Sequence, residues 1–208
     1  MAGATDTSAV TNEWAMAEVI RNPAIQRKIQ DEIDLVVGKD RLVGEEDLYK
    51  LPYLMCVVKE TFRLHPAGPF SIPRMSMKDT KLMGYDIPKG TRVLINIHSL
   101  GRSEETWVQP LTFRPERWAN ENLSQIQDPE FRILPFGNGR RGCPGSNLGT
   151  TMVLLVLSRL LHGFTWSLPP GVTSESIDME EAYGLTTPLR TRLRAVATPR
   201  LAAHLYKE

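Results

Sequence analysis

Only two cysteines, Cys56 and Cys143, occur in the 208 residues, too few for the stapled framework of a small secreted domain. The four histidines, at 65, 98, 162 and 204, are scattered and form no cluster with metal-ligand spacing. Charge of one sign is equally scarce. Twenty-five basic residues face 24 acidic ones, and a net charge of +1 gives no long-range field toward nucleic acid. No run of like charge forms a binding tail. The stretch MAGATDTSAV has no basic region followed by an apolar one, so it does not read as a secretory leader. The most apolar stretch, 152–161, is too short to span a bilayer and contains Arg159. Internal repeats and low-complexity tracts are also missing.

What is present suits one globular unit with a sizeable core, since 41% of residues are hydrophobic and 24% charged. Residues 2–22 predict a helix broken at Asn22-Pro23, because a residue before proline avoids the helical region. Pro23 suits the first turn of a second helix. Its Ile25, Ile29, Ile33, Val36 and Val37 recur at helical spacing, and Gly38 ends it. A short helix over 45–50 and an amphipathic one over 52–64 follow, the latter stopped by His65-Pro66. From 66 to 100, proline and glycine punctuate strand-like runs such as Thr91–Ile95. Residues 101–135 read as loop, 137–145 as a glycine-dense loop, 146–162 as helix, and 163–201 as turns with short strands. The fold class expected is mainly α with minor β.

The chemistry concentrates in Phe136-Gly137-Asn138-Gly139-Arg140-Arg141-Gly142-Cys143-Pro144-Gly145. Four glycines in ten residues let the backbone adopt positive φ and approach a flat object closely. The cysteine sits at the entry to an apolar helix, whose N-terminal dipole and free amides favour a thiolate. Two arginines just upstream are placed to pair with carboxylates of a bound cofactor. A second constellation is Glu60 and Arg63, three apart and so on one face of the 52–64 helix. Val57, Val58, Phe62 and Leu64 surround them, so the charges are expected to be buried and therefore paired. A third is Ala2-Gly3-Ala4-Thr5-Asp6-Thr7-Ser8, where small residues allow a groove and an acid neighbours an alcohol, as proton transfer needs. Cys56, His65 and their neighbours read as core and structure.

The pattern Phe-x-x-Gly-x-Arg-x-Cys-x-Gly resembles the haem-binding signature of the cytochromes P-450. The resemblance implies the carboxy-terminal part of that fold: distal helix, lock helix, small sheet, haem-binding loop and proximal helix. It implies haem b as cofactor, Cys143 as iron ligand, Arg141 as a propionate partner, Phe136 beside the thiolate and Gly139 in the loop. Arg74 either reaches a second propionate or is solvated. Glu60, Arg63 and Arg117, the last in Phe113-Arg114-Pro115-Glu116-Arg117-Trp118, correspond to a three-way structural lock. Trp118 stands where phenylalanine is commoner, a departure expected to matter little. Asp6 and Thr7 correspond to the catalytic acid–alcohol pair, with Ala4 in place of the usual glycine. Ala67, Gly68, Phe70 and Ser71, with Leu185 and Thr186, correspond to substrate-lining segments.

The function implied is a monooxygenase that inserts one atom of O2 into a C–H bond of a small lipophilic substrate. Electrons come from NADPH through NADPH–cytochrome P-450 reductase. Thr11–Glu18, His65–Phe70 and Ala182–Gly184 resemble a plant branch that hydroxylates medium-chain fatty acids within the chain. The resemblance also implies that 1–208 is a partial domain lacking the amino-terminal part and the membrane anchor. The full-length protein is expected at the endoplasmic reticulum membrane, and the isolated fragment is expected to be inactive. The rival readings are a same-fold peroxide isomerase or dehydratase, which would need no Asp6–Thr7 relay, and a non-enzymatic fragment unable to bind haem.

Overall fold

The computed structural model describes residues 2–123 and 126–207. The domain expected over 1–208 also includes Met1, Ser124, Gln125 and Glu208, which lie outside the described residues. Four of the helices match the sequence pattern closely: α1 Ala2–Arg21, α2 Pro23–Val36, α3 Pro52–Leu64 and α5 Ser146–Gly163. Glu45–Lys50 forms a 3-10 turn. The break between α1 and α2 falls at Asn22, with Pro23 in the first turn of α2. Gly38, at φ 78°, closes α2 by donating its N–H to the Asp34 carbonyl at 3.1 Å, the left-handed cap that glycine permits.

These four helices share one core. Ala15 and Val19 of α1, Ile29 and Ile33 of α2, Leu54 and Val57 of α3, and Leu157 and Leu161 of α5 are all fully buried there. The long charged edge of α2 turns outward, but Gln26 and Gln30 turn in and are satisfied by backbone. Gln26 exchanges two hydrogen bonds with Trp166, at 2.9 and 2.7 Å. Gln30 donates to the carbonyls of Leu161 and Phe164, at 3.2 and 3.1 Å. Buried amides paired in this way fix where the chain leaves α5. There β5, Phe164–Ser167, begins and pairs antiparallel with β6, Val196–Pro199.

The remaining sheet is small and antiparallel: β1 Arg74–Met75 with β4 Arg92–Val93, and β2 Thr80–Leu82 with β3 Tyr85–Ile87. The strand predicted over Thr91–Ile95 is shorter than its composition indicates. Ile95 instead makes both its backbone bonds with Ser71, receiving the Ser71 N–H and donating to the Ser71 hydroxyl, each at 2.9 Å. Beyond it lies a helix that the sequence pattern missed, α4 Ile97–Leu100. Asn96 caps it by accepting the Ser99 N–H at 3.1 Å, as a short polar side chain does at a helix start. Four residues are too few to show a period. Among the described residues no helix is long and apolar enough to cross a membrane. Both cysteines are free, Cys56 buried and Cys143 exposed.

Candidate functional site

Glu60 on α3 is fully buried and accepts five hydrogen bonds. Arg63, one turn on, reaches both of its oxygens at 2.8 Å through Nε and Nη2. The Arg114 N–H and the Arg117 Nε each donate to Oε1 at 2.9 Å. The fifth donor is the indole N–H of Trp118, 2.8 Å from Oε2. The structure thus gathers Glu60, Arg63 and Arg117, and adds a neutral donor whose chemistry corrects the expectation that Trp118 is an inconsequential change from phenylalanine. No residue pattern reports which way an indole N–H points. Arg63 is equally buried and spends its remaining protons on the carbonyls of Gly101, Pro110 and Thr112. Gly101 lies so close that an added methyl would overlap the Arg63 carbonyl.

The cluster extends outward through Lys59, buried over the Trp118 ring at 4.5 Å and 3.4 Å from Glu121. Glu121 in turn pairs with Arg132 at 2.7 Å, and Arg132 with Asp128 at 2.9 Å. Paired carboxylates, Asp128 first, hold the Arg132 guanidinium above its ordinary range. Trp107, Trp118, Ile133 and Cys56 pack together beneath these charges. Burial, followed by the nearby Glu32 and Glu116 carboxylates, pushes the Cys56 thiol up to about 11, which suits an inert core cysteine.

From this base the chain runs to the Cys143 loop. Phe136 packs on the core, its ring 5.3 Å from that of Phe62 and edge-on to it, with Gly149 of α5 leaving room beside it. The Phe136 carbonyl accepts the Cys143 N–H at 2.8 Å, which closes the loop. Two of the four loop glycines, Gly137 and Gly139, have positive φ, 65° and 69°. A side chain at either would meet nothing within 4 Å, so the backbone there borders open space. Gly139–Arg141 forms a single 3-10 turn, and α5 starts at Ser146 with Gly145 as its cap. Cys143 therefore lies on the loop just ahead of the helix, not in its first turn, and its thiol is exposed.

A cavity of about 300 Å3 adjoins this loop, lined in part by Arg74, Arg140, Arg141, Ile95, Ile97 and Leu134. Arg74 is anchored there by donating to the Arg141 carbonyl at 3.1 Å. Among the described residues no protein group pairs with the guanidinium groups of Arg140 and Arg141. The sequence pattern singled out both Arg140 and Arg141 as partners for carboxylates, and the resemblance added Arg74; all three line the cavity. Gly139, Cys143 and Phe136 form the loop, although none of them lines this cavity.

Of the other predicted residues, Ser71 also lines this cavity. The Thr7 hydroxyl donates to the Gly3 carbonyl at 2.8 Å, one turn back along α1. Asp6 points elsewhere, into a second cavity of about 730 Å3 with Glu13, Met16, Arg192 and Leu193. Among the described residues no hydrogen bond joins the Asp6 and Thr7 side chains. The structure does bring the 66–72 segment to the 185–187 turn. Thr187 bonds through N–H to the Ala67 carbonyl and through Oγ1 to that of Pro66, at 3.1 and 2.9 Å. Trp14 of α1 donates its indole N–H to the Thr187 carbonyl at 2.8 Å. Trp14 also stacks on His65, centroids 4.0 Å apart. His65 meets Glu18 at 2.8 Å; burial lowers its pKa, against the opposing pull of that carboxylate. Phe70 and Leu185 are exposed, whereas Gly68, Ala67, Ser71 and Thr186 are half-buried.

Comparison with known proteins gives a consistent answer. The family model for cytochrome P450 matches residues 1–194. Cytochrome P450 703A2 of Arabidopsis thaliana is 56% identical over 99% of this chain and 40% of its own length. Its Oryza sativa namesake is 54% identical with the same coverage. Flavonoid 3'-monooxygenase of Petunia hybrida is 48% identical over 97% of this chain and 40% of its own. A zebrafish cytochrome P450 solved with progesterone superimposes with a TM-score of 0.84 and 33% identity, over 96% of this chain and 43% of the other. The chain thus spans about 40% of the length of the curated relatives it matches.

Trp118→Phe removes the N–H that Glu60 accepts together with the pyrrole half of a fully buried ring, so the loss of the hydrogen bond is the least that the substitution costs. A hydrogen bond to a buried charge contributes about 1.5–3 kcal/mol, so the urea midpoint should fall by at least a corresponding amount at unchanged slope. A midpoint equal to that of the parent protein would contradict the role given to the indole.

Proposed function

This chain belongs to the cytochrome P450 family, and from that premise we propose that it forms the haem-binding part of a monooxygenase. The reaction is insertion of one atom of O2 into a C–H bond of a small lipophilic substrate. The observation that carries this reading is an exposed thiol on a loop braced by the buried core, beside a cavity with three arginines.

The residues fit a haem. Gly137 and Gly139 leave the loop backbone bordering open space, which suits a flat ring. Ile95, Ile97 and Leu134 offer apolar contact, and Arg140 and Arg141, whose guanidinium groups pair with none of the described residues, offer partners for carboxylates at its rim. Cys143 would ligate the iron through Sγ, and Arg141 and Arg74 would take the propionates. When bound, the haem supplies oxygen activation, and a thiolate ligand favours O–O cleavage. Phe136, packed edge-on against Phe62, holds the Cys143 N–H through its carbonyl and so braces the thiol-bearing loop. The Glu60–Arg63–Arg117 cluster keeps the loop in register and touches no substrate.

Thr7 and Asp6 hold the protons that the reaction consumes. The Thr7 oxygen, while donating to Gly3, keeps lone pairs to accept a second bond. Asp6 faces the second cavity, where it can exchange protons with solvent. Ala67, Gly68, Phe70 and Ser71, with Leu185 and Thr186, form part of the substrate wall. Electrons come from NADPH through its cytochrome P-450 reductase at the endoplasmic reticulum membrane. The substrate is a saturated medium-chain fatty acid hydroxylated within the chain, a reading supported by the plant-branch texture of Thr11–Glu18 and His65–Phe70.

In the full-length protein, the reduced carbon monoxide complex should show the red-shifted Soret band of thiolate-ligated haem, and Cys143→Ala should abolish it; survival of the band would sink the ligand assignment. Thr7→Ala should go on consuming NADPH while releasing mostly peroxide, whereas parent-like coupling of electrons to product would exclude Thr7 from proton delivery. Medium-chain fatty acids should displace the water on the iron and shift its spin state. Spectral shifts with flavonoids or other phenolics, and none with fatty acids, would overturn the substrate class.

A further inference from the structure

The turn at 181–189 is held at its base and free at its tip. Glu181 and Leu189 form an antiparallel bridge, flanked by hydrogen bonds from Ala182 to Pro188 and from Arg190 to Glu180, at 2.9 and 2.8 Å. At the tip, Tyr183 and Leu185 are 100% and 92% exposed, and no hydrogen bond joins 183–186 to the rest of the described residues. The tip is nevertheless tight. A Cβ added at Gly184 would lie 3.0 Å from the Thr186 carbonyl oxygen.

Two anchors set its position. One is Thr187, bonded to Pro66, Ala67 and Trp14 as described above. The other is the side chain of Glu181. Its Oε1 accepts from Arg102 Nη2 at 2.8 Å, and its Oε2 faces His98 Nε2 at 3.4 Å. Arg102 Nη2 also donates to the carbonyl of Leu64, the last residue of α3, at 2.7 Å. His98 is itself tied to the 66–72 loop, through its N–H to the Pro69 carbonyl at 3.0 Å. Arg102 and Glu181 are mostly buried, 19% and 18% exposed, and the Arg102 Nε is buried without a partner. A charge so desolvated is costly to leave unpaired. Thr187, with Leu189 buried beside it against Val10, Trp14 and Ala17, holds one side of the turn, and the Glu181 ion pair holds the other.

We propose that the Arg102–Glu181 ion pair is a positioning element that sets the 182–186 turn against the 66–72 loop and so determines which substrates are accepted and where they are attacked. This rests on the reading of those two segments as substrate wall. Neither residue touches substrate. Both act through the backbone they hold.

The test uses full-length protein carrying Glu181→Gln, which keeps size and loses charge, and Glu181→Asp, which keeps charge. Three quantities are read: the carbon monoxide band, the substrate dissociation constant from the spin-state shift, and the distribution of hydroxylated products. Glu181→Gln should retain the parent band, weaken substrate binding by about three- to tenfold as release of one ion-paired anchor implies, and redistribute products among carbons. Glu181→Asp should recover part of both effects. Hydrogen exchange should speed up at the amides of Ala182 and Arg190 in the Gln variant alone. Parent-like binding and products in Glu181→Gln overturn the proposal, as does loss of its carbon monoxide band, which would make the pair part of the haem scaffold. A parent protein without a thiolate band sinks the functional reading and the proposal with it, an outcome distinct from either.

Discussion

A carboxylate shut away from water must receive from the protein the hydrogen bonds that water gave it. Glu60 receives five, three of them from the two guanidinium groups of Arg63 and Arg117. The arginines bring more protons than Glu60 can accept. The excess goes to the carbonyls of Gly101, Val108, Gln109, Pro110 and Thr112. Those carbonyls belong to a stretch with almost no regular structure, so arginine forks stand in for the ladder that a sheet would supply. The arrangement is costly to build and more costly to break, because removing one partner strands a charge in the core.

Position passes from this cluster to the thiol by contact. The turn at Pro115–Trp118 is fixed by Arg117 and Trp118 on Glu60, and Trp118 packs with Ile133. The chain then reaches Phe136, which leans on Phe62 of the same helix that carries Glu60. The Phe136 carbonyl holds Cys143. A loop with two positive-φ glycines and an exposed sulfur is thereby referred back to α3 at both ends of the route. The 181–189 turn is held in the same manner from α3 outward, through Leu64, Arg102 and Glu181. One helix thus orients both the Cys143 loop and this turn.

Much of this was legible in the sequence where the controlling interactions are local. Proline at 23 and 52 and glycine at 38 punctuate the helices, and the apolar period of Ile25, Ile29 and Ile33 gives the buried face. Glu60 and Arg63 are one turn apart, so their pairing follows from spacing alone. Long-range choices were hidden. The strand at Thr91–Ile95 is cut short by Ser71, and α4 depends on a single Asn96 cap. The indole of Trp118 carries a bond that its usual apolar reading conceals. Glu181 and Arg102 lie 79 residues apart with no pattern to link them. The sequence also could not show that the Thr7 hydroxyl bonds back to the Gly3 carbonyl.

The buried Glu60 cluster braces the loop that carries Cys143. Glu60→Gln in the full-length protein tests this most directly, because it leaves Arg63 and Arg117 in the core without their carboxylate, at a cost of about 3–5 kcal/mol. The carbon monoxide band of thiolate-ligated haem should be followed through a urea titration beside the helical signal of the parent and variant. The variant is expected to lose the thiolate band at clearly lower urea than the parent. A thiolate band that survives in Glu60→Gln to the same urea concentration as in the parent would contradict this bracing role.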